Sequence, residues 1–161
     1  MIVIVMGVVG SGKTTIGQLL AEQMGWESAD ADDFHPASNV EKIRNGIPLT
    51  DDDRAPWLDS LRPAISQWIA SRRNVVLACS ALKRSYREKL DAGPEVRFVY
   101  LKGTPELIAE RLRGRHGHFA DEQILASQFA DLEEPEGAIT VSISSRPPEI
   151  VAEIRKRLAL E

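Results

Sequence analysis

Residues Gly7 to Thr14 read Gly-Val-Val-Gly-Ser-Gly-Lys-Thr, a full match to the phosphate-loop pattern GxxxxGK[ST], and they follow the apolar run Ile2 to Met6 directly. No other feature narrows the fold as much. A buried strand must deliver the chain to a turn whose backbone N–H groups can curl around phosphate oxygens. The pattern Ile16, Leu19, Leu20 and Met24 then places an amphipathic helix, with its positive dipole end, behind that turn. Gly7, Val8, Val9, Gly10, Ser11, Gly12, Lys13 and Thr14 are therefore candidate phosphate-binding positions. Lys13 would reach the β- and γ-phosphates, and the Thr14 hydroxyl would hold Mg²⁺. This fixes a ligand class and leaves the reaction open.

The rest of the chain supplies the partners such a loop needs. Val75 to Cys79, Val96 to Leu101 and Ile139 to Ile143 are apolar runs suited to strands covered on both faces, and Trp26 to Ala29 can form a short second strand. Five strands result. Helical patterns lie between them: Trp57, Leu58, Leu61, Ile65, Trp68 and Ile69 share one face, and Leu107, Ile108 and Leu112 another. Thr104-Pro105-Glu106 reads as a helix start, and Pro63 predicts that the Trp57 to Ile69 helix is kinked or begins later. Strands alternating with helices over short connections imply an α/β fold, a five-stranded parallel sheet flanked by helices, in one domain spanning 1–161. Ligands gather at the carboxyl ends of such strands. Residues 33–56 and 113–122 have weaker core patterns and are candidate flaps over the site, the first binding substrate and the second a lid.

The formal charge of −4 argues against a nucleic-acid surface, so local basic groups are expected to serve small anions. The apolar N-terminus is too short to span a membrane and runs straight into the glycine-rich turn, so a core strand with no leader is expected. Cys79 is the only cysteine, which excludes an intramolecular disulfide and suits a reducing cytoplasm.

Three further constellations carry chemistry. Asp30-Ala31-Asp32 places two carboxylates on one side of an extended chain at a strand end, one to orient a substrate hydroxyl and one, Asp30, to support the metal through water. Asp51-Asp52-Asp53-Arg54 follows, with at least two of the aspartates expected in a solvated loop or helix cap. Arg54 is a candidate two-pronged grip on an acidic substrate. His35, alone in its region, is expected to hydrogen-bond and not to ligate metal. Ser80 and Lys83 lie close enough to a strand's carboxyl end to face the ligand crevice, and Arg87 is a weaker candidate. In the third constellation, Arg111, Arg113 and Arg115 flank Gly114 before His116-Gly117-His118-Phe119, a pattern for a hinged lid carrying positive charge over transferring phosphates.

The run Asp30 to Pro36 with Asn39, then Leu49, Asp51 to Arg54 and Pro56-Trp57-Leu58, then Cys79 to Lys83 with Tyr86-Arg87, then Tyr100 to Gly103, Arg115 with Gly117-His118-Phe119, Gln128-Phe129 and Leu132 to Pro135 resembles bacterial gluconokinases over nearly the whole chain. The resemblance implies a nucleoside-monophosphate-kinase-like fold and ATP-dependent, Mg²⁺-assisted phosphorylation of D-gluconate at its 6-hydroxyl, with a homodimer suggested. It extends the ATP set to Thr15, Arg111, Arg115 and the Ser145 to Pro148 loop, including Arg146 and Pro147. Asp32, His35, Arg54, Ser80, Lys83 and Gln128 supply the hydrogen-bonding groups and cations that a polyol with one carboxylate needs. Lys13, Asp32 and Arg115 are the expected catalytic groups. Another kinase of this fold, acting on shikimate or a nucleoside monophosphate, is the nearest alternative. A nucleotide switch is less well supported, since NKxD and DxxG motifs are missing.

Overall fold

Strand β1 (Ile2–Met6) is buried at every position, and its alternation feeds two cores. Val3 and Val5 face a cluster with Ile16, Leu20, Leu112, Ile150 and Ile154, whereas Ile2, Ile4 and Met6 face one with Trp57, Leu61, Ile65 and Tyr86. A strand buried on both faces belongs at the centre of a sheet with helices on either side. The computed structural model, which describes residues 1–115 and 119–159, places it there. The sheet order is β2-β3-β1-β4-β5, with β2 (Glu27–Asp30), β3 (Val75–Ala78), β4 (Val96–Lys102) and β5 (Ile139–Ser142), and every pairing is parallel.

The connections carry α1 (Lys13–Met24), α2 (Ala37–Arg44), α3 (Asp51–Ala70), α4 (Arg84–Leu90), α5 (Pro105–Arg115), α6 (Phe119–Asp131) and α7 (Pro147–Arg157), with a 3₁₀ turn at Ala31–Phe34 after β2. The first core lies under α1, α5 and α7, the second under α3 and α4. No helix among the described residues is long and apolar enough to cross a membrane.

Helix α3 corrects one expectation. Of the two expectations for Pro63, a kink or a later start, the later start is the one overturned: the helix starts at Asp51 and runs through both Pro56 and Pro63 to Ala70. Thr50 and Asp53 form a reciprocal capping box that fixes the start, so the acidic triplet is the first helical turn, where carboxylates complement the dipole. Each interior proline costs about 3 kcal/mol. Trp57, Leu58, Leu61, Ile65 and Trp68 are all buried, at roughly 1.5–3 kcal/mol per large side chain, so the buried stripe outweighs both prolines.

Candidate active site

The loop between β1 and α1 has the backbone its glycines permit. Gly10 adopts φ +80°, and a Cβ there would fall 2.8 Å from the Leu112 side chain of α5. At Gly7 a Cβ would meet the Ser11 hydroxyl at 2.6 Å. The loop thus wraps tightly on itself, and Ser11 Oγ is buried with no hydrogen-bond partner among the described residues. Lys13 Nζ turns back to donate to the Val8 carbonyl at 3.0 Å, inside the loop. Burial lowers its pKa, an effect opposed by the carboxylates of Asp32 and Asp30. An orphaned hydroxyl, a lysine folded into the cradle and a helix N-terminus behind it suit a polyphosphate.

The two carboxylates after β2 are held differently. Asp30 accepts from Thr14 Oγ1 at 3.0 Å and from the Asp32 N–H at 2.9 Å, capping the 3₁₀ turn. Asp32 is not tied in this way, and partial burial, reinforced by the charge of Asp30, raises its pKa. Thr14 and Asp30 bring two hard oxygen donors together. That matches the way Mg²⁺ is commonly held, by one or two protein oxygens with phosphate and water completing the shell. Among the described residues no group of three or more His, Cys, Asp or Glu could form an all-protein metal site.

A cavity of about 120 Å³ opens beside the loop, lined by Val9, Lys13, Asp32, His35, Ile43, Leu49, Arg54, Trp57, Ser80, Ile124 and Gln128. Five of the six expected substrate residues therefore meet at one place: Asp32, His35, Arg54, Ser80 and Gln128. Lys83 is not among the lining residues. It caps α4 and donates to Asp51 at 2.8 Å. Larger grooves, of about 320 Å³ beside α4 and about 660 Å³ along β4 and β5, contain no residue of the glycine-rich loop.

Several side chains in and around this cavity are already bonded within the protein. Arg54 is buried, and its Nη1 donates to Tyr86 Oη at 3.1 Å and to Asp131 at 2.8 Å. Tyr86 in turn donates to Asp51. Gln128 Oε1 accepts the Val9 N–H at 2.7 Å, linking α6 to the phosphate loop. His35 stacks on Trp57 with ring centroids 4.4 Å apart, and burial together with the charge of Arg54 lowers its pKa to about 4. Arg87 donates to the carbonyls of Ala81, Leu82 and Glu133, pinning the loop that carries Ser80.

Arg111 Nη2 of α5 donates to the Ile143 carbonyl at 2.6 Å, just before the Ser145 to Pro148 segment. Arg146 caps α7, pairs with Glu149 at 3.2 Å and is exposed, and Pro147 is the first residue of that helix. Arg115 ends α5, and its side chain lies outside the described residues, as do His116, Gly117 and His118 of the expected lid.

Sequence reasoning missed Ile43, Leu49, Trp57 and Ile124 as cavity walls and Asp131 and Tyr86 as the supports of Arg54. Trp57 reads as ordinary core from its helical spacing. Asp131 gives no signal beyond a carboxylate near a helix end, since its partner is 77 positions away.

A family model described as an AAA domain matches residues 2–135. The gluconokinase of Gluconobacter oxydans is 41% identical, with 98% of this chain and 91% of that protein aligned. Among solved structures, a sugar kinase from Janibacter sp. superposes with a TM-score of 0.91 at 40% identity, covering 99% of this chain and 94% of that one. A gluconokinase from Sinorhizobium meliloti gives 0.82 at 41% identity, covering 98% and 94%. Shikimate kinase from Aquifex aeolicus, at 16% identity and a TM-score of 0.66 over 99% of this chain and 96% of that one, shares the fold alone. With such relatives along nearly the full chain, and a glycine-rich loop beside an acidic pair on this sheet, the protein belongs to the gluconokinase family of phosphate-loop kinases.

Proposed function

We propose that the chain transfers the γ-phosphoryl group of ATP to the 6-hydroxyl of D-gluconate, giving 6-phosphogluconate and ADP. The observation that carries this reading is that Lys13 and Asp32 line one cavity together with Arg54, His35, Ser80 and Gln128. Phosphate chemistry and a polyol-binding wall thus share one space.

When bound, Mg²⁺ supplies charge neutralisation for the phosphate oxygens, with Thr14 and Asp30 holding it. Lys13 adds a fixed positive charge for the oxygens on which charge grows. Asp32, the carboxylate with the raised pKa, orients the acceptor hydroxyl and takes its proton. The resting bonds within the site, Lys13 to Val8 and Thr14 to Asp30, exchange for ligand bonds on binding. Arg111, Arg146 and Pro147 flank the adenine side, and segments 33–56 and 113–122, the latter with Arg115, serve as the substrate flap and the lid. The enzyme is read as a cytoplasmic homodimer that engages neither nucleic acid nor membrane.

A coupled ADP-release assay over a panel of sugar acids, glucose, shikimate and nucleoside monophosphates tests the proposal. Acceptor-dependent turnover highest with gluconate is expected. Turnover equal without any acceptor, or highest with shikimate, would overturn it.

A further inference from the structure

Asn39 of α2 is 2% exposed and belongs to no expected role. Its Nδ2 lies 2.7 Å from the Asp53 backbone carbonyl and 3.2 Å from His35 Nδ1. A carbonyl oxygen only accepts, so the amide group facing Asp53 must be the NH₂, which settles the orientation of the carboxamide. The same nitrogen has a second hydrogen for His35, and a donor facing Nδ1 requires a bare lone pair there. The single proton of the neutral imidazole then sits on Nε2, on the far edge of a ring that lines the cavity. Trp57 fixes the plane of that ring by stacking at an interplanar angle of 12°, and is itself held by donation from its Nε1 to the Ala31 carbonyl at 2.7 Å.

We propose that Asn39 is a positioning residue that holds His35 as a neutral Nε2–H donor to the acceptor pocket, so that the pocket selects ligands presenting a hydroxyl or carboxylate oxygen at that point. The identity of the ligand rests on the gluconate reading; the tautomer does not. Of the charged groups around the imidazole, the cations disfavour a second proton on it and the carboxylate favours one. Arg54 of α3 and Lys13 of α1 are positive and line the same cavity, and Asp32 of the 3₁₀ turn is the negative group on its wall. The Asp53 carboxylate of α3 is occupied by Lys42 of α2 at 2.8 Å. Burial and Arg54 keep the ring from gaining a second proton near neutral pH, so it remains a donor of constant charge.

Nitrogen-15 NMR of the imidazoles, with the His35 signals assigned by their loss in His35→Gln, should show Nε2 protonated and Nδ1 bare from pH 8 down to 5.5. A proton on Nδ1, or an imidazolium at pH 7, would overturn the proposal whatever the substrate proves to be. Asn39→Asp replaces the donor with an acceptor, and Asn39→Leu removes it without adding charge. In both, kcat/KM for gluconate is expected to fall about 10- to 100-fold while KM for ATP changes less than about twofold. Asn39→Asp should also acquire a pH dependence between about 5.5 and 7.5 as the imidazole becomes protonatable. Equal losses for gluconate and ATP would show that Asn39 only supports the fold. If no sugar acid is phosphorylated by the unaltered enzyme, the gluconate reading fails and the NMR result still decides the tautomer.

Discussion

Asp30 and Asp32 are separated by one residue and are held differently. Asp30 already accepts two hydrogen bonds, whereas Asp32 carries a raised pKa in a partly desolvated position beside another carboxylate. Asp32→Asn should lower kcat by on the order of 100- to 10,000-fold with nucleotide affinity nearly unchanged, measured by turnover and by calorimetric ATP titration. The same change should raise the melting temperature at pH 7. A carboxyl whose folded pKa lies above its unfolded value adds stability only below the unfolded value and loses it as pH rises through the folded one. The gain should therefore shrink at pH 3. His35 works in the opposite sense: its folded pKa of about 4 lies below the usual 6.5, so its stability is present above 6.5 and lost as pH falls towards 4. Urea midpoints should drop over that window, and by less in His35→Gln. The placement of Lys13, Thr14 and both aspartates beside one another was legible in the sequence because local spacing fixes it. The role of Asn39 was not, because it depends on a backbone carbonyl 14 positions away.

At the level of elements, strands and helices followed from apolar runs, and of the two readings Pro63 left open, a kink or a later start, the later start of α3 weighed that proline above the buried stripe. What local patterns do not show is how an element is tied to its neighbours. Helix α6 uses Gln128 to hold the phosphate loop at Val9 and Asp131 to hold Arg54 of α3, two contacts on one helical face. The connection from β3 to α4 depends on Arg87 in the same way. Its guanidinium holds three carbonyls, among them that of Ala81, a non-glycine residue at φ +46°. Arg87 thus leaves the set of candidate substrate cations. Arg87→Lys cannot reproduce a planar fork with one ammonium and should destabilise the fold by about 2 kcal/mol. Chemical denaturation reads that loss; an unchanged midpoint would mean that Ala81 keeps its conformation without the clamp.

Across the whole molecule, the parallel sheet brings residues from positions 9 to 128 to one cavity at its carboxyl edge, and this convergence was legible from topology alone. Which cations remain available for a ligand was not, because internal pairs such as Arg54 with Asp131 and Lys83 with Asp51 join distant parts of the chain. Arg54 is the decisive case. Its Nη1 serves Tyr86 and Asp131, yet the residue also lines the cavity, so it can pin α6 and face a carboxylate at once. If it grips the acid end of gluconate, Arg54→Leu should reduce kcat/KM for gluconate by about 10- to 100-fold or more, and weak activity towards glucose much less. Asp131→Asn separates the two duties, since it weakens the internal tie but leaves the guanidinium in the pocket. It should retain the preference for gluconate over glucose that Arg54→Leu loses. Parallel losses for both sugars in both variants would make Arg54 a structural pin, and the carboxylate anchor would then be sought at Lys83, which is only partly buried and held by the exposed Asp51.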